Sequence, residues 1–271
     1  MALPPPAPDR TALVTGASSG IGEALARDLA GRGHGLVLAA RRVGPMEALR
    51  TELSESGVRV EVLPIDLADR GARAELPGRI AELGLTVDLL VNNAGLSTSG
   101  PVASADVDAE LHMIEVDVVT VVDLCTRFVP GMVERGRGAV LNVASTAAFQ
   151  PLPGQAGYAA SKAFVLSYTR SLGGELRGTG VSATALCPGP VQTGFGEAAG
   201  FSDDEQSALP GFMWESPEEV ARVAVDSLAA GHPVAIPGAA NRVAAMLAHV
   251  APKQLLVPLL ASRHPALRRG R

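Results

Sequence analysis

The stretch TGASSGIGEALARDLAGRGHGLVLAARR, residues 15–42, sets glycines at 16, 20 and 22 between an apolar run and an amphipathic one. Before it, TALVTG at 11–16 has the β-branched, apolar character of a buried strand. After it, Leu25, Leu29 and Ala30 fall on one helical face. A chain that leaves a strand, turns over glycines and opens a helix at about Ile21 offers positive φ, close backbone approach and unpaired N–H groups. Those features suit a pyrophosphate, and strand, turn and helix together make the frame of a dinucleotide-binding unit. Packing alone also produces glycine-rich turns, so the ligand has to be argued from residues further along.

Similar apolar runs recur: GLVLAA at 35–40, VRVEVLPI at 58–65, VDLLVNNAG at 87–95, GAVLNVAS at 138–145, VSATALCPG at 181–189 and HPVAIPG at 232–238. Helix-length spacers between them call for right-handed crossovers. The expected fold is α/β, a single Rossmann-like domain whose doubly wound parallel sheet of about seven strands carries helices on both faces. We place that catalytic, dinucleotide-binding domain at residues 10–238. A disordered, proline-rich leader is expected at 1–9, and an apolar, basic extension with five arginines at 239–271, its prolines breaking it into short pieces.

Composition narrows the function. The 271 residues are 47% hydrophobic and 19% charged, the balance of a folding globular chain. A net charge of −5 provides no field to draw in a nucleic-acid backbone, so nucleic-acid binding is not expected. Cys125 and Cys187 form no CxxC pair or metal-ligand cluster, and both read as small buried hydrophobes of a reducing compartment. With neither a secretory leader nor a membrane-spanning run, the expected location is cytoplasmic.

The second strand ends LAARR, where a site for NAD would place an acid on the ribose 2′-hydroxyl. Arg41 and Arg42 stand there instead and suit a 2′-phosphate, which points to NADP(H) over NAD(H).

Further on, YAASK sets Tyr158 and Lys162 four residues apart on one helical face, and Ser145 in LNVAST lies 13 positions before the tyrosine. With TGASSGIG and the NNAG of residues 92–95, these motifs resemble the short-chain dehydrogenase/reductase family in order and spacing, from about residue 11 to Thr193. The resemblance implies that Gly16, Ser18, Ser19, Gly20, Ile21 and Gly22 form the phosphate turn and that Asp66, with Leu67 beside it, meets the adenine. It further implies that Asn92, Asn93, Ala94 and Gly95 border the cofactor. Pro188 and Gly189 would flank the nicotinamide, with Val191 nearby and Thr193 on its carboxamide. Asn142 is expected to bond backbone across neighbouring strands. A homodimer or homotetramer through the helices around 116–128 and 158–172 is also implied.

The residue types make chemical sense without the family. Carbonyl reduction needs a proton for the oxygen and stabilisation of the developing alkoxide. Tyr158 can supply the proton; its ordinary pKa of about 10 is expected to fall beside the Lys162 ammonium. Ser145 would orient the oxygen, and Lys162 would also bond the nicotinamide ribose. One departure stands out: in LHMIEVDVVTVVDLC the family usually has Asn where this chain has Asp117, and we expect Asp117 to take over that position in a proton relay.

Leu96, Phe149, Leu152 and Phe195 suggest an apolar pocket for a lipophilic ketone, aldehyde or alcohol, with no basic residue to grip an anion. Phe201, Phe212 and Trp214 are either a closing lid or ordinary packing. The extension either packs on the protein or makes peripheral contact with an anionic membrane. Beside the oxidoreductase, two rivals stay open: an NADPH-occupancy sensor without turnover, and a membrane-surface lipid-type ketone reductase.

Overall fold

The computed structural model describes residues 3–198, 210–263 and 267. Seven parallel strands form one sheet in the order β3-β2-β1-β4-β5-β6-β7. They are β1 (Arg10–Thr15), β2 (Gly35–Ala40), β3 (Val60–Pro64), β4 (Thr86–Asn92), β5 (Gly138–Val143), β6 (Val181–Leu186) and β7 (Val234–Ala235). The order reverses between β1 and β4, whose carboxyl ends therefore open a crevice, the place where doubly wound sheets bind ligands.

Alternation along each strand sorts the core into two layers. Ala12 and Val14 of β1 with Leu36 and Leu38 of β2 face α1 (Gly20–Gly31) and α2 (Val43–Ser54), where Leu25, Leu29 and Met46 are fully covered. Leu13 and Val37 point the other way, toward α3 (Arg70–Glu82), α5 (Thr120–Glu134) and α6 (Ala156–Glu175), meeting Leu76, Leu124 and Val165. Both faces of every central strand are buried, which is why their sequences run apolar without alternation. α4 (Val107–Ile114) precedes α5, α7 (Phe195–Ala198) is a single turn after β6, and α8 (Pro217–Ala229) joins the α1 layer.

Three features differ from the sequence reading. Part of the leader is held by the domain: Leu3 packs on the core, Pro4 is buried, and the Pro5 carbonyl accepts from Arg137, while Pro5, Pro6, Pro8 and Asp9 are exposed. The stretch LHMIEVDVVTVVDLC is not one regular helix, because Glu115–Val119 forms a π-helical turn between α4 and α5. Thr120, which ends it, donates from Oγ1 to the carbonyls of Glu115 and Leu67. The extension makes two helices, α9 (Ala239–Val250) and α10 (Lys253–Arg263), parted at Pro252, while Pro258 stays inside α10. Ala245 of α9 joins the core and Asn241 is buried, so the extension is continuous with the domain. Among the described residues no helix is long and apolar enough to cross a membrane.

Candidate active site

The crevice begins at the glycine turn. Gly16 and Gly20 have φ of 65° and 59°, which other residues rarely adopt. At Gly22 a Cβ would lie 2.4 Å from the Gly16 carbonyl oxygen and from the Asn93 side chain, so only glycine lets the turn close. Thr15 Oγ1 donates to the Val91 carbonyl and accepts from the N–H groups of Asn93 and Ala94, while Asn93 Nδ2 reaches the Thr15 carbonyl at 2.9 Å. The ends of β1 and β4 are thereby stapled together. Thr15 carries this staple although the sequence reading did not single it out.

What the turn presents is an open helix start. Asp69, Asp106 and Ser216 cap α3, α4 and α8 through their side chains, whereas Ser19 at the start of α1 makes no such bond. The first-turn N–H groups of α1 are left for an external anion. Thr193 closes the turn from the other side: a Cβ on Gly20 would sit 3.0 Å from its Cγ2. Val191 pairs with Glu215 as a short bridge, and Pro188 accepts from Thr146 N–H, which fixes the loop beyond β6 beside the crevice. A Cβ on Gly189 would meet the Asn241 side chain at 2.4 Å, so a residue of the extension packs under this loop. The sequence held no local signal for Asn241, because its partners lie far away in the chain.

Arg42 lies across the turn, its guanidinium bonded to Ser19 Oγ at 2.6 Å and to Ser18 Oγ at 3.1 Å. Arg41 is exposed beside it. Asp66 is exposed and accepts from Ala68 N–H, while the Leu67 side chain is buried in the core and its carbonyl is taken by Thr120 and the buried Arg73. Arg73 also pairs with Glu115 at 2.7 Å and Asp123 at 2.9 Å, bracing the π turn.

Asn92 does not line the crevice. It is buried within the sheet, where its Nδ2 donates to Asn142 Oδ1 at 2.8 Å, and Asn142 Nδ2 donates to Thr169 Oγ1 at 3.0 Å. Asn142 thus binds side chains of β4 and α6, not backbone, because its register places it directly opposite Asn92.

Ser145, Tyr158 and Lys162 do come together. Ser145 starts the turn after β5, its Oγ accepting from Ala147 N–H, and its side chain favours the ionised form of Tyr158. Lys162, one turn along α6, is 4% exposed and holds its Nζ 5.6 Å from the Tyr158 ring centre and 3.3 Å from the Val143 carbonyl. The expected fall in the Tyr158 pKa does not occur here: burial pushes it up, with Lys162 and Ser145 pulling only partly against.

Asp117 adds to that rise, behind burial. Its carboxylate is 1% exposed and stands 3.0 Å from Lys162 Nζ, at an angle outside that of a hydrogen bond, while its other oxygen accepts from Leu96 N–H at 2.7 Å. Burial drives the Asp117 pKa up against the pull of Lys162. Burial pushes Lys162 down, yet Asp117 and Tyr158 carry it above its ordinary value. The pair is direct, so no intervening group is needed to join position 117 to the lysine.

Around this cluster Phe195 sets its ring 6.1 Å from that of Tyr158 and Leu96 is half-buried. Phe149 is buried, meets His249 of α9 edge to face and lines one groove with Leu152. Leu152 lines this groove of about 520 Å³ with Ala156, Ala160 and Ala163, on a different face of α6 from Tyr158 and Lys162. Phe212 is exposed and Trp214 half-buried; Phe201 lies outside the described residues.

The short chain dehydrogenase family model matches residues 10–202. A short chain dehydrogenase of Pseudocercospora fijiensis is 38% identical over 190 residues, 69% of this chain, and the match spans 61% of that relative's length. Among solved structures, a short-chain dehydrogenase from Sphingobium yanoikuyae in complex with NADPH superposes with a TM-score of 0.79 at 32% identity, covering 92% of this chain and 95% of that one. The bulky-bulky ketone specific alcohol dehydrogenase from Comamonas testosteroni gives 0.74 at 27% identity, covering 98% and 97%. The stapled glycine turn, the joined Ser145, Tyr158 and Lys162 and these likenesses agree: the chain belongs to the short-chain dehydrogenase family.

Proposed function

We propose that the chain is an NADP-dependent oxidoreductase that interconverts a lipophilic ketone or aldehyde and its alcohol, with Tyr158 as general acid and base. The observation that carries this reading is the meeting of Ser145, Tyr158 and Lys162 at the mouth of a crevice whose other wall is the uncapped start of α1. The fit of a dinucleotide rests on that open helix start and on glycines whose Cβ positions are already filled by neighbouring atoms. Gly16, Ser18, Ser19, Gly20, Ile21 and Gly22 would hold its pyrophosphate, Arg41 and Arg42 its 2′-phosphate, and Asp66 and Leu67 its adenine end. Asn93, Ala94 and Gly95 would border it, and Pro188, Gly189, Val191 and Thr193 would keep its nicotinamide end.

Bound there, NADPH supplies a hydride for the carbonyl carbon. Tyr158 donates its phenolic proton to the carbonyl oxygen, which Ser145 orients, and Lys162 holds positive charge near the oxyanion that develops. Alcohol oxidation uses the same groups in reverse. Phe195 beside Tyr158 favours an apolar substrate, and the bulky-bulky ketone specificity named for the Comamonas testosteroni relative supports a ketone.

The test is NADPH oxidation, followed by absorbance, across aliphatic, aromatic and steroid-like ketones and aldehydes. Turnover with at least one of them that vanishes in Tyr158→Phe while NADPH still binds is expected. NADPH binding with turnover of none of them would reject the reading in favour of a nucleotide sensor.

A further inference from the structure

The Asp117 carboxylate has a setting that its position in a helix does not require. The π turn aims it inward, Leu96 N–H holds one oxygen at 2.7 Å, and Lys162 Nζ lies 3.0 Å from the other. The backbone at Gly95 roofs the pair so closely that a Cβ there would lie 3.1 Å from Lys162 Nζ and 3.3 Å from Asp117 Oδ1. Among the described residues no other carboxylate pairs with Lys162.

The remaining groups around the cluster leave its charge to these two. Cys187, beyond β6, has its thiol pushed up to about 12 by burial and is neutral. Glu110 of α4 lies near Gly157, where it accepts from Thr98 Oγ1 at 2.6 Å. Ser145 and the Val143 carbonyl carry no charge, and Phe195 contributes only its ring. Arg170, further along α6, acts on Cys187.

We propose that Asp117 is a positioning residue for Lys162, whose negative charge anchors the ammonium and lets the Tyr158 and Lys162 pair keep its protons to higher pH than an amide at position 117 would. A buried ammonium loses its charge unless an anion offsets the lost hydration, and a nearby anion also opposes ionisation of a phenol. Both effects act in the same direction, so the three groups titrate as one cluster. The consequence for chemistry rests on the oxidoreductase reading: reduction consumes the protonated phenol and oxidation the phenolate. Asp117 therefore favours carbonyl reduction at a given pH and extends its range upward.

The composition makes the test direct, because the chain has only 2 tyrosines, Tyr158 and Tyr168, and 2 lysines, Lys162 and Lys253. Full-length protein labelled with carbon-13 at tyrosine Cζ and lysine Cε is titrated by NMR, with Tyr158→Phe and Lys253→Arg assigning the signals. Asp117→Asn keeps an oxygen for Leu96 N–H and removes only the charge. In that variant the first proton lost by the Tyr158 and Lys162 pair should leave about one pH unit lower, roughly tenfold weaker proton affinity. Asp117→Glu, which restores the charge, should return the midpoint toward wild type, and Asp117→Ser replaces Asp117→Asn if the latter fails to fold. An unchanged or higher midpoint in the charge-removing variant overturns the proposal. The titration needs no substrate, so its outcome is independent of whether any carbonyl is turned over.

Discussion

Two buried aspartates mark opposite ends of the sheet. Asp88, near the start of β4, is 3% exposed and meets Arg10 at 3.5 Å, Arg135 at 3.7 Å and Arg137 at 2.5 Å. Those arginines come from β1 and from the connection leading into β5, and each keeps roughly a third of its side chain in solvent. Asp117, at the carboxyl ends of the strands, has one cationic partner as deeply buried as itself. The first arrangement ties elements together with charges that remain hydrated. The second seals charge beside a phenol that can exchange a proton. Desolvation separates them: a hydrated clasp changes little when one partner is lost, whereas a sealed pair left incomplete forces its remaining member to take up or lose a proton.

The sharpest break in that contrast is Lys162→Met. Turnover should fall by about three orders of magnitude, as loss of a group that acts on the proton transfer typically does. The Asp117 carboxyl, now buried without a partner, should become neutral, visible as a protonated carboxylic acid band in infrared difference spectra at neutral pH. Asp88→Asn should act only on stability. It leaves three half-hydrated arginines, so a loss of about 1–2 kcal/mol is expected, read as a lower thermal midpoint with the Tyr158 titration unmoved. A displaced Tyr158 midpoint in this variant would mean that the two ends are coupled and the contrast is false. The smallest effect concerns the nucleotide end. Arg42→Ala should weaken NADPH binding about tenfold by calorimetry while leaving NADH unchanged, since a 2′-phosphate is what the guanidinium would recognise. Equal losses for both nucleotides would make Arg42 only a brace for Ser18 and Ser19.

Much of the scaffold was legible because its signals are local. Seven apolar runs, each close to an observed strand, and glycines at 16, 20 and 22 carry their own conformational demands. The proposed catalytic side chains stand out for the same reason, since Tyr158 and Lys162 share one helical face and Ser145 follows closely on a strand. What escaped depends on partners distant in the chain. Arg73 becomes a buried brace only when α3 meets the π turn, and Asn241 matters only once α9 folds back under Gly189. Asn92 was misplaced because strand pleat, not motif membership, decides which of two adjacent asparagines faces the crevice. The Tyr158 pKa was read from one neighbouring cation, while burial and the Asp117 charge weigh on the other side.

The most direct test of the central claim is isotope transfer. NADPH carrying deuterium at the reactive nicotinamide carbon is incubated with the protein and the carbonyl panel, and the alcohols are examined by mass spectrometry. Deuterium should appear on the carbinol carbon with the wild-type protein and not above background with Tyr158→Phe. Equal deuterium transfer by Tyr158→Phe would contradict the claim.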